Sequence, residues 1–318
     1  MGRTIFMIHG MFGGSWCWDD YVKFFEDKGY HCIAPTLRFH DVKPDELPNP
    51  KLGTTSLLDY AGDIEKEIRE LDSFPFLMGH SMGGLIAQIL GSRGLAKGLV
   101  LLNPASPRGI LALTPSVIKS FRSTLTKWGF WKKPVRQTFY EAVYSMLHLL
   151  PFDEQMQIYK KFVYESGRAV FEIGLWPFDS KQASKVDEAK VTCPVLLISG
   201  ARDRATPESV NVKIANKYRT VSTYKVFPNN AHWVFGEPGW EKIAAYVSDW
   251  MDRVSAVPSH SPVVKTEEYK YVAGKKSNVF HRPDCRQAQR ISPENVIGFD
   301  SREEAVKSGR RPCGICGP

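Results

Sequence analysis

The chain has 318 residues, 43% of them apolar and 24% charged, which is the balance of a folded globular protein and excludes disordered or collagen-like classes. The net charge of +8 divides evenly, +4 before Pro258 and +4 from there on, a mild excess that permits anionic partners without demanding nucleic acid. Six cysteines without a secretory leader point to a reducing compartment, and the apolar run Ile5–Ile8 is too short for a signal peptide or a membrane span, so a cytoplasmic address is expected.

Apolar runs alternate with amphipathic stretches over the first 250 residues. Thr4–Ile8, Tyr30–Ala34, Phe74–Met78, Gly98–Leu102, Pro194–Ser199 and Thr223–Phe227 read as buried strands. Trp16–Asp27, Ser56–Leu71, Met82–Ser92, Pro207–Tyr218 and Gly239–Val254 carry helical spacing between them. The alternation predicts an α/β fold, a mostly parallel sheet with helices on both faces. From Ala105 to about Lys190 no strand is evident, and Thr138–Leu149 and Phe152–Tyr164 have helical patterning, so this interval reads as a helical insertion. Residues 255–268 are rich in Ser and Pro without periodicity and read as a linker. Residues 269–318 would then form a domain too small to be held by core burial alone, for which a metal or another staple is expected.

The stretch Gly79-His80-Ser81-Met82-Gly83 joins a predicted strand to a predicted helix. Glycines two residues either side of a serine permit the tight turn that lifts its hydroxyl to the sheet edge. Such a hydroxyl needs a base and a carboxylate to orient that base. Asp203 and His232 each follow a predicted strand on the same edge, in the chain order Ser, Asp, His. The Met82 N–H, at the helix start, can face a developing oxyanion. A second donor should come from the loop after the first strand, with Met11 the first choice and Phe12 the alternative. Two further histidines, His9 and His80, read as structural, and Cys17, Cys32 and Cys193 as packed thiols.

At these motifs, HGMFGGSWCW, GHSMGG, GARDRATP and NNAHW, residues 3–254 resemble the α/β-hydrolase family. The resemblance implies a sheet lacking the family's two N-terminal strands, a cap domain over about 105–190, and serine hydrolase chemistry. Carboxylic esters are the default substrate class, with thioesters, lactones and amides left open by the same triad. Trp128, Phe130, Trp131, Trp176 and Phe178 could line an apolar pocket or pack inside the cap. KWGFWKKPVR (127–136) reads as a solvated basic face.

The chain closes on Cys313-Gly-Ile-Cys316, and upstream lie His281 and Cys285, four apart. Two close pairs of N and S donors suit a closed tetrahedral zinc site, with Gly314 permitting the turn between the last two thiolates. A redox dithiol, the alternative, expects its Cys-x-x-Cys within a βαβ unit, and none is patterned there. The segment FHRPDCRQAQRISPENVIGFDSREEAVKSGRRPCGICGP is similar to the zinc-binding domain of the Ada DNA-repair protein. That resemblance implies one structural zinc per chain. The repair domain's methyl-accepting first ligand is a cysteine; here it is His281, which has no thiolate to alkylate, so repair activity is not carried over. Lys275, Lys276, Arg282, Arg286, Arg290, Arg310 and Arg311 leave nucleic-acid contact as a second reading.

Overall fold

A computed structural model describes residues 3–256, 269–285, 287, 288, 291 and 295–318. The chain divides into two compact units, Met1–Met251 and Asp252–Pro318. In the first, β1 (Thr4–Ile8), β2 (His31–Ile33), β3 (Phe76–His80) and β4 (Gly98–Leu102) alternate with helices α1 (Asp19–Glu26), α2 (Leu57–Arg69) and α3 (Met82–Ser92). The insertion follows β4 and holds α4 (Pro115–Ser120), α5 (Arg122–Leu125), β5 (Pro134–Val135), α6 (Phe139–Ala142), α7 (Phe152–Lys161), β6 (Glu165–Ser166) and α8 (Gly167–Gly174). After it come β7 (Val195–Gly200), α9 (Glu208–Lys217), β8 (Ser222–Phe227) and α10 (Trp240–Ala256).

The main sheet runs β2-β1-β3-β4-β7-β8, and every pairing in it is parallel. Its central strands β3, β4 and β7 are buried along their whole length, as continuous apolar runs require when both faces are covered. One face packs α2, α3 and α9 through Leu77, Leu99, Leu101, Ile64, Leu85 and Ile214. The other receives α10, whose Trp250 meets Phe76 ring to ring and donates its indole N–H to Thr223.

Three expectations shift. Strand β3 starts at Phe76 and runs on through Gly79 and His80, because Pro75 has no N–H for the ladder. The stretch expected as one helix over Thr138–Leu149 is a single capped turn, α6, followed by a π-helical turn over Val143–Leu147. The insertion also contains one short antiparallel pairing, β5 with β6. Two buried carboxylates of the insertion reach core side chains. Glu165 meets His40 and accepts the Tyr60 hydroxyl at 2.7 Å; Glu172 accepts Ser56 Oγ and the Leu57 N–H at the start of α2.

In the second unit, β9 (Tyr271–Gly274), β10 (Val279–His281), β11 (Val296–Phe299) and β12 (Arg311–Pro312) form a sheet in the order β11-β9-β10-β12. Helix α11 (Arg302–Lys307) is capped by Ser301, which accepts the Glu304 N–H. Alternation along β9 serves two small cores. Ala273 faces Phe280, Phe299 and Ala305, whereas Val272 packs with Cys285 and Cys313. Most of the expected linker, 257–268, lies outside the described residues, as do Arg286 and Arg290.

Candidate active site

Strand β3 delivers Ser81 into a left-handed backbone conformation, φ +52°, before α3 begins at Met82. Few non-glycine residues adopt such a conformation, and it persists only where the surroundings over-determine it. They do so here by crowding. A Cβ on Gly79 would collide with the Gly83 carbonyl, and one on Gly83 with the Ile8 carbonyl. Both flanking glycines are therefore fixed by close approach of backbone to backbone. The loop after β1 runs against the serine, since a Cβ on Gly10 would stand 3.0 Å from Ser81 Cβ.

Asp203 follows β7 and His232 follows β8, and His232 Nδ1 lies 2.8 Å from Asp203 Oδ2. Both side chains are buried. The carboxylate is held on all sides: Oδ1 accepts the Ala205 and Thr206 N–H groups, and Oδ2 also accepts Thr206 Oγ1 at 2.8 Å. With Nδ1–H directed to the carboxylate, Nε2 of His232 carries the lone pair. Ser81 and His232 line one cavity, together with Met11 and Phe12. Neither the Met82 nor the Met11 N–H has an acceptor among the described residues, and the same is true of Phe12.

Several residues not singled out from the sequence set this geometry. Asn103, at the end of β4 with φ +43°, donates through Nδ2 to Ala231 O (2.7 Å) and His232 O (3.2 Å). Its Oδ1 accepts the Gly200 N–H at 2.8 Å, so one amide ties three strand ends. Thr206 Oγ1 lies 3.0 Å from Asn103 O and 2.8 Å from Asp203 Oδ2. Buried Glu237 accepts the Ala231 N–H (2.7 Å) and the Trp233 N–H (3.1 Å), bracing both flanks of His232. Periodicity does not mark these polar groups, because Asn103 and Thr206 bond backbone atoms distant in sequence and Glu237 bonds those of its own irregular loop.

His9 and His80 both make hydrogen bonds to the backbone. His80 Nε2 donates to His232 O at 2.9 Å, and burial together with the neighbouring His232 ring holds His80 well below its ordinary range, neutral. Burial and the nearby His40 push His9 down to about 3; its Nε2 accepts the Leu37 N–H. Desolvation raises Cys17 and Cys32 to about 12 and Cys193 to about 11, as inert thiols.

The cavity encloses about 810 Å³ of space, part of it open to solvent. Its walls are largely apolar: Leu113, Val117, Phe121, Leu125, Val170 and Ile173, all from the insertion. None of the five aromatics proposed from sequence lines it. Trp128 and Phe178 are exposed, Phe130 and Trp131 belong to the apolar cluster that includes the cavity-lining Phe121, Leu125 and Val170 but do not line the cavity themselves, and Trp176 donates to Ile110 O under the Arg108 guanidinium. Aromatic content alone does not distinguish a pocket wall from packing within a small helical layer.

In the second unit, donor atoms of His281, Cys285, Cys313 and Cys316 all lie within 4.8 Å of one another. The ladder explains why. Parallel pairing of β10 with β12 sets Phe280 beside Pro312, and the Cys313 N–H donates to Phe280 O, so Cys313 follows next to His281. The Arg282 and Ile315 N–H groups point at Cys316 Sγ and Cys313 Sγ, each at 3.4 Å, as suits thiolates. Cys285 Sγ is 3.7 Å from His281 Nδ1. A tetrahedron with arms of about 2.0 Å to N and about 2.3 Å to S has an N–S edge of about 3.5 Å, so the donor set fits one ion. Gly314 is not the left-handed residue of the turn. Gly317 is, at φ +52°, and its N–H donates to Cys313 O. Lys275, Lys276, Arg282 and Arg311 are exposed, whereas Arg310 packs over the Phe299 ring.

The sheet order, the serine elbow and the covered cavity define an α/β hydrolase. Residues 5–245 match the model of the alpha/beta hydrolase family, and the chain belongs to it. Residues 263–318 match the metal binding domain of Ada. Protein ABHD8 of Homo sapiens is 25% identical over 246 residues, 74% of this chain, and the chain spans about half (52%) of that relative's length. The fold is shared with a pyrethroid hydrolase from Sphingobium faniae JZ-2, at TM-score 0.60 and 18% identity over 79% of this chain and 98% of that one. A methylesterase from Arabidopsis follows at TM-score 0.59 and 12% identity, covering 79% and 99%. A monoacylglycerol lipase from Paleococcus ferrophilus has TM-score 0.58 and 21% identity, covering 80% and 96%. No helix among the described residues is long and apolar enough to cross a membrane.

Proposed function

We propose that the chain is a serine hydrolase that cleaves carboxylic esters, carrying one structural zinc in its C-terminal unit. The observation behind this is the left-handed Ser81 at the mouth of a cavity it shares with His232, whose other ring nitrogen is 2.8 Å from Asp203. Ser81 Oγ attacks the acyl carbon as His232 Nε2 takes its proton. Asp203 holds the tautomer and stabilises the imidazolium. The oxyanion falls to the Met82 and Met11 N–H groups at the elbow and the β1 loop, which donate as charge develops. His232 then returns the proton to the departing alcohol. Water attacks the acyl-enzyme by the same base, freeing the acid and Ser81. The apolar walls favour an ester with an apolar acyl or alcohol part. Esterases and a lipase among the proteins of like fold favour esters over thioesters, lactones or amides.

Zinc is the ion that three thiolates and one imidazole favour, held by His281, Cys285, Cys313 and Cys316 with no open position for chemistry.

Ser81→Ala should abolish p-nitrophenyl ester cleavage and labelling by a fluorophosphonate while leaving the far-UV circular dichroism unchanged. Undiminished turnover in that variant would sink the assignment.

A further inference from the structure

The cavity wall is apolar except at a few positions, and one of them has a fixed polarity. Gln137, 2% exposed, is one of the residues of the insertion that line the cavity. Its Nε2 donates to Ser120 O at 2.7 Å, with Ser145 Oγ 3.4 Å away. A carbonyl oxygen only accepts, so the amide cannot be reversed: nitrogen must face Ser120. Ser145 cannot rescue the reversed orientation, since its own hydroxyl proton goes to Glu141 O at 2.7 Å. Gln137 Oε1 is consequently left buried, with no donor among the described residues. The residue is also locked through its backbone, because Gln137 O accepts the Tyr159 hydroxyl at 2.9 Å.

A buried amide oxygen without a donor has lost its water and gained nothing in return. Proteins satisfy nearly all such groups, and those left over call for a partner that arrives from outside. The cavity that would admit such a partner is lined by Phe121, Leu125, Met146 and Val170 as well as Ser145, surroundings that suit a largely apolar molecule carrying one donor. Ser106 Oγ, also buried and unpartnered, lines the same cavity from the loop after β4. It can donate or accept and so selects nothing by itself.

We propose that Gln137 is a specificity-determining residue whose Oε1 accepts a hydrogen bond from a hydroxyl or N–H on the apolar part of the substrate, away from the scissile bond. The preferred ester is then not a plain hydrocarbon ester but one with a single donor on its chain. This rests on the proposed ester hydrolysis, and the test separates the two. A site built to hydrogen-bond a substrate hydroxyl discriminates strongly against the analogue lacking it, whereas an apolar pocket hardly distinguishes the two.

The probes are p-nitrophenyl alkanoates of increasing chain length, each paired with its ω-hydroxy counterpart. At one length the wild-type kcat/KM should favour the hydroxy ester by about tenfold or more. In Gln137→Leu, or Gln137→Met if the first does not fold, that ratio should fall towards one. A ratio near one at every length in wild type, or a preference that survives in the variant, overturns the proposal. If no ester of either kind is cleaved, the hydrolase reading fails on its own. The ω-hydroxy acids and their unsubstituted partners are then titrated calorimetrically into Ser81→Ala protein, where equal affinity at every length overturns the role of Gln137.

Discussion

Asn103 offers the sharpest test of how the site is built. Replacing it with Ala removes the donor to Ala231 O and His232 O and the acceptor for the Gly200 N–H. His232 O keeps the His80 bond, so two backbone groups, Gly200 N–H and Ala231 C=O, lose a partner in a buried environment. At about 1–3 kcal/mol each, the loss is about 2–6 kcal/mol, with a smaller addition because alanine tolerates φ +43° less well than asparagine. Against a total stability of about 5–15 kcal/mol this is severe, and for a unit of this size it corresponds to a fall in Tm of about 4–24 °C. Thermal and urea denaturation followed by tryptophan fluorescence measure it. Ester turnover well below the new Tm adds the positional part, because the same amide aligns the Asp203 and His232 loops. A Tm within about 2 °C of wild type would refute the view that this side chain ties the three strand ends.

Two further outcomes bear on pH and metal. Burial opposes a charge on His40, but the Glu165 carboxylate overcomes it and raises the imidazole, while the His40 charge outweighs burial and lowers Glu165. A raised histidine stabilises fully below its unfolded value near 6.5, and that stabilisation is lost as pH climbs through its folded value. Tm should therefore fall as pH rises above about 6.5, and Glu165→Gln should flatten that slope in differential scanning fluorimetry; an unaltered slope refutes the pairing. His9 and His80, both lowered, act with the opposite sign and on the acid side only. Elemental analysis should give one zinc per chain, and chelation should expose residues 269–318 to protease while the first unit persists as a resistant fragment. A protease-resistant tail free of metal would contradict the structural role.

Much of this was legible in the sequence, and for identifiable reasons. Ser81, Asp203 and His232 sit at strand ends whose apolar runs are unmistakable, and the elbow demands glycines at fixed offsets. The metal ligands come in two close pairs for a similar reason, since a ladder of short strands has to present them together. What stayed hidden depends on partners remote in the chain. Asn103 and Thr206 act on backbone atoms about 100 to 130 residues away, and Glu237 acts within an irregular loop, where no periodicity marks them. Gly79 and His80 looked like the turn itself but close the strand, because Gly79 is there to clear the Gly83 carbonyl. The insertion was the least legible part. Its aromatic residues are as compatible with self-packing as with a pocket, and periodicity over Thr138–Leu149 cannot foresee a π-helical turn.

The bracing of His232 also bears on how the protein could be re-engineered. Because Glu237 bonds the N–H groups on both sides of the histidine, the segment from Ala231 to Glu237 is closed upon itself by its own last side chain. It behaves as a cassette. A designer could exchange the whole seven-residue block from a relative, provided the block arrives with its own carboxylate, fills the buried Val234 and Phe235 positions with apolar side chains of like size, and leaves Asn103 in place to donate to the two carbonyls.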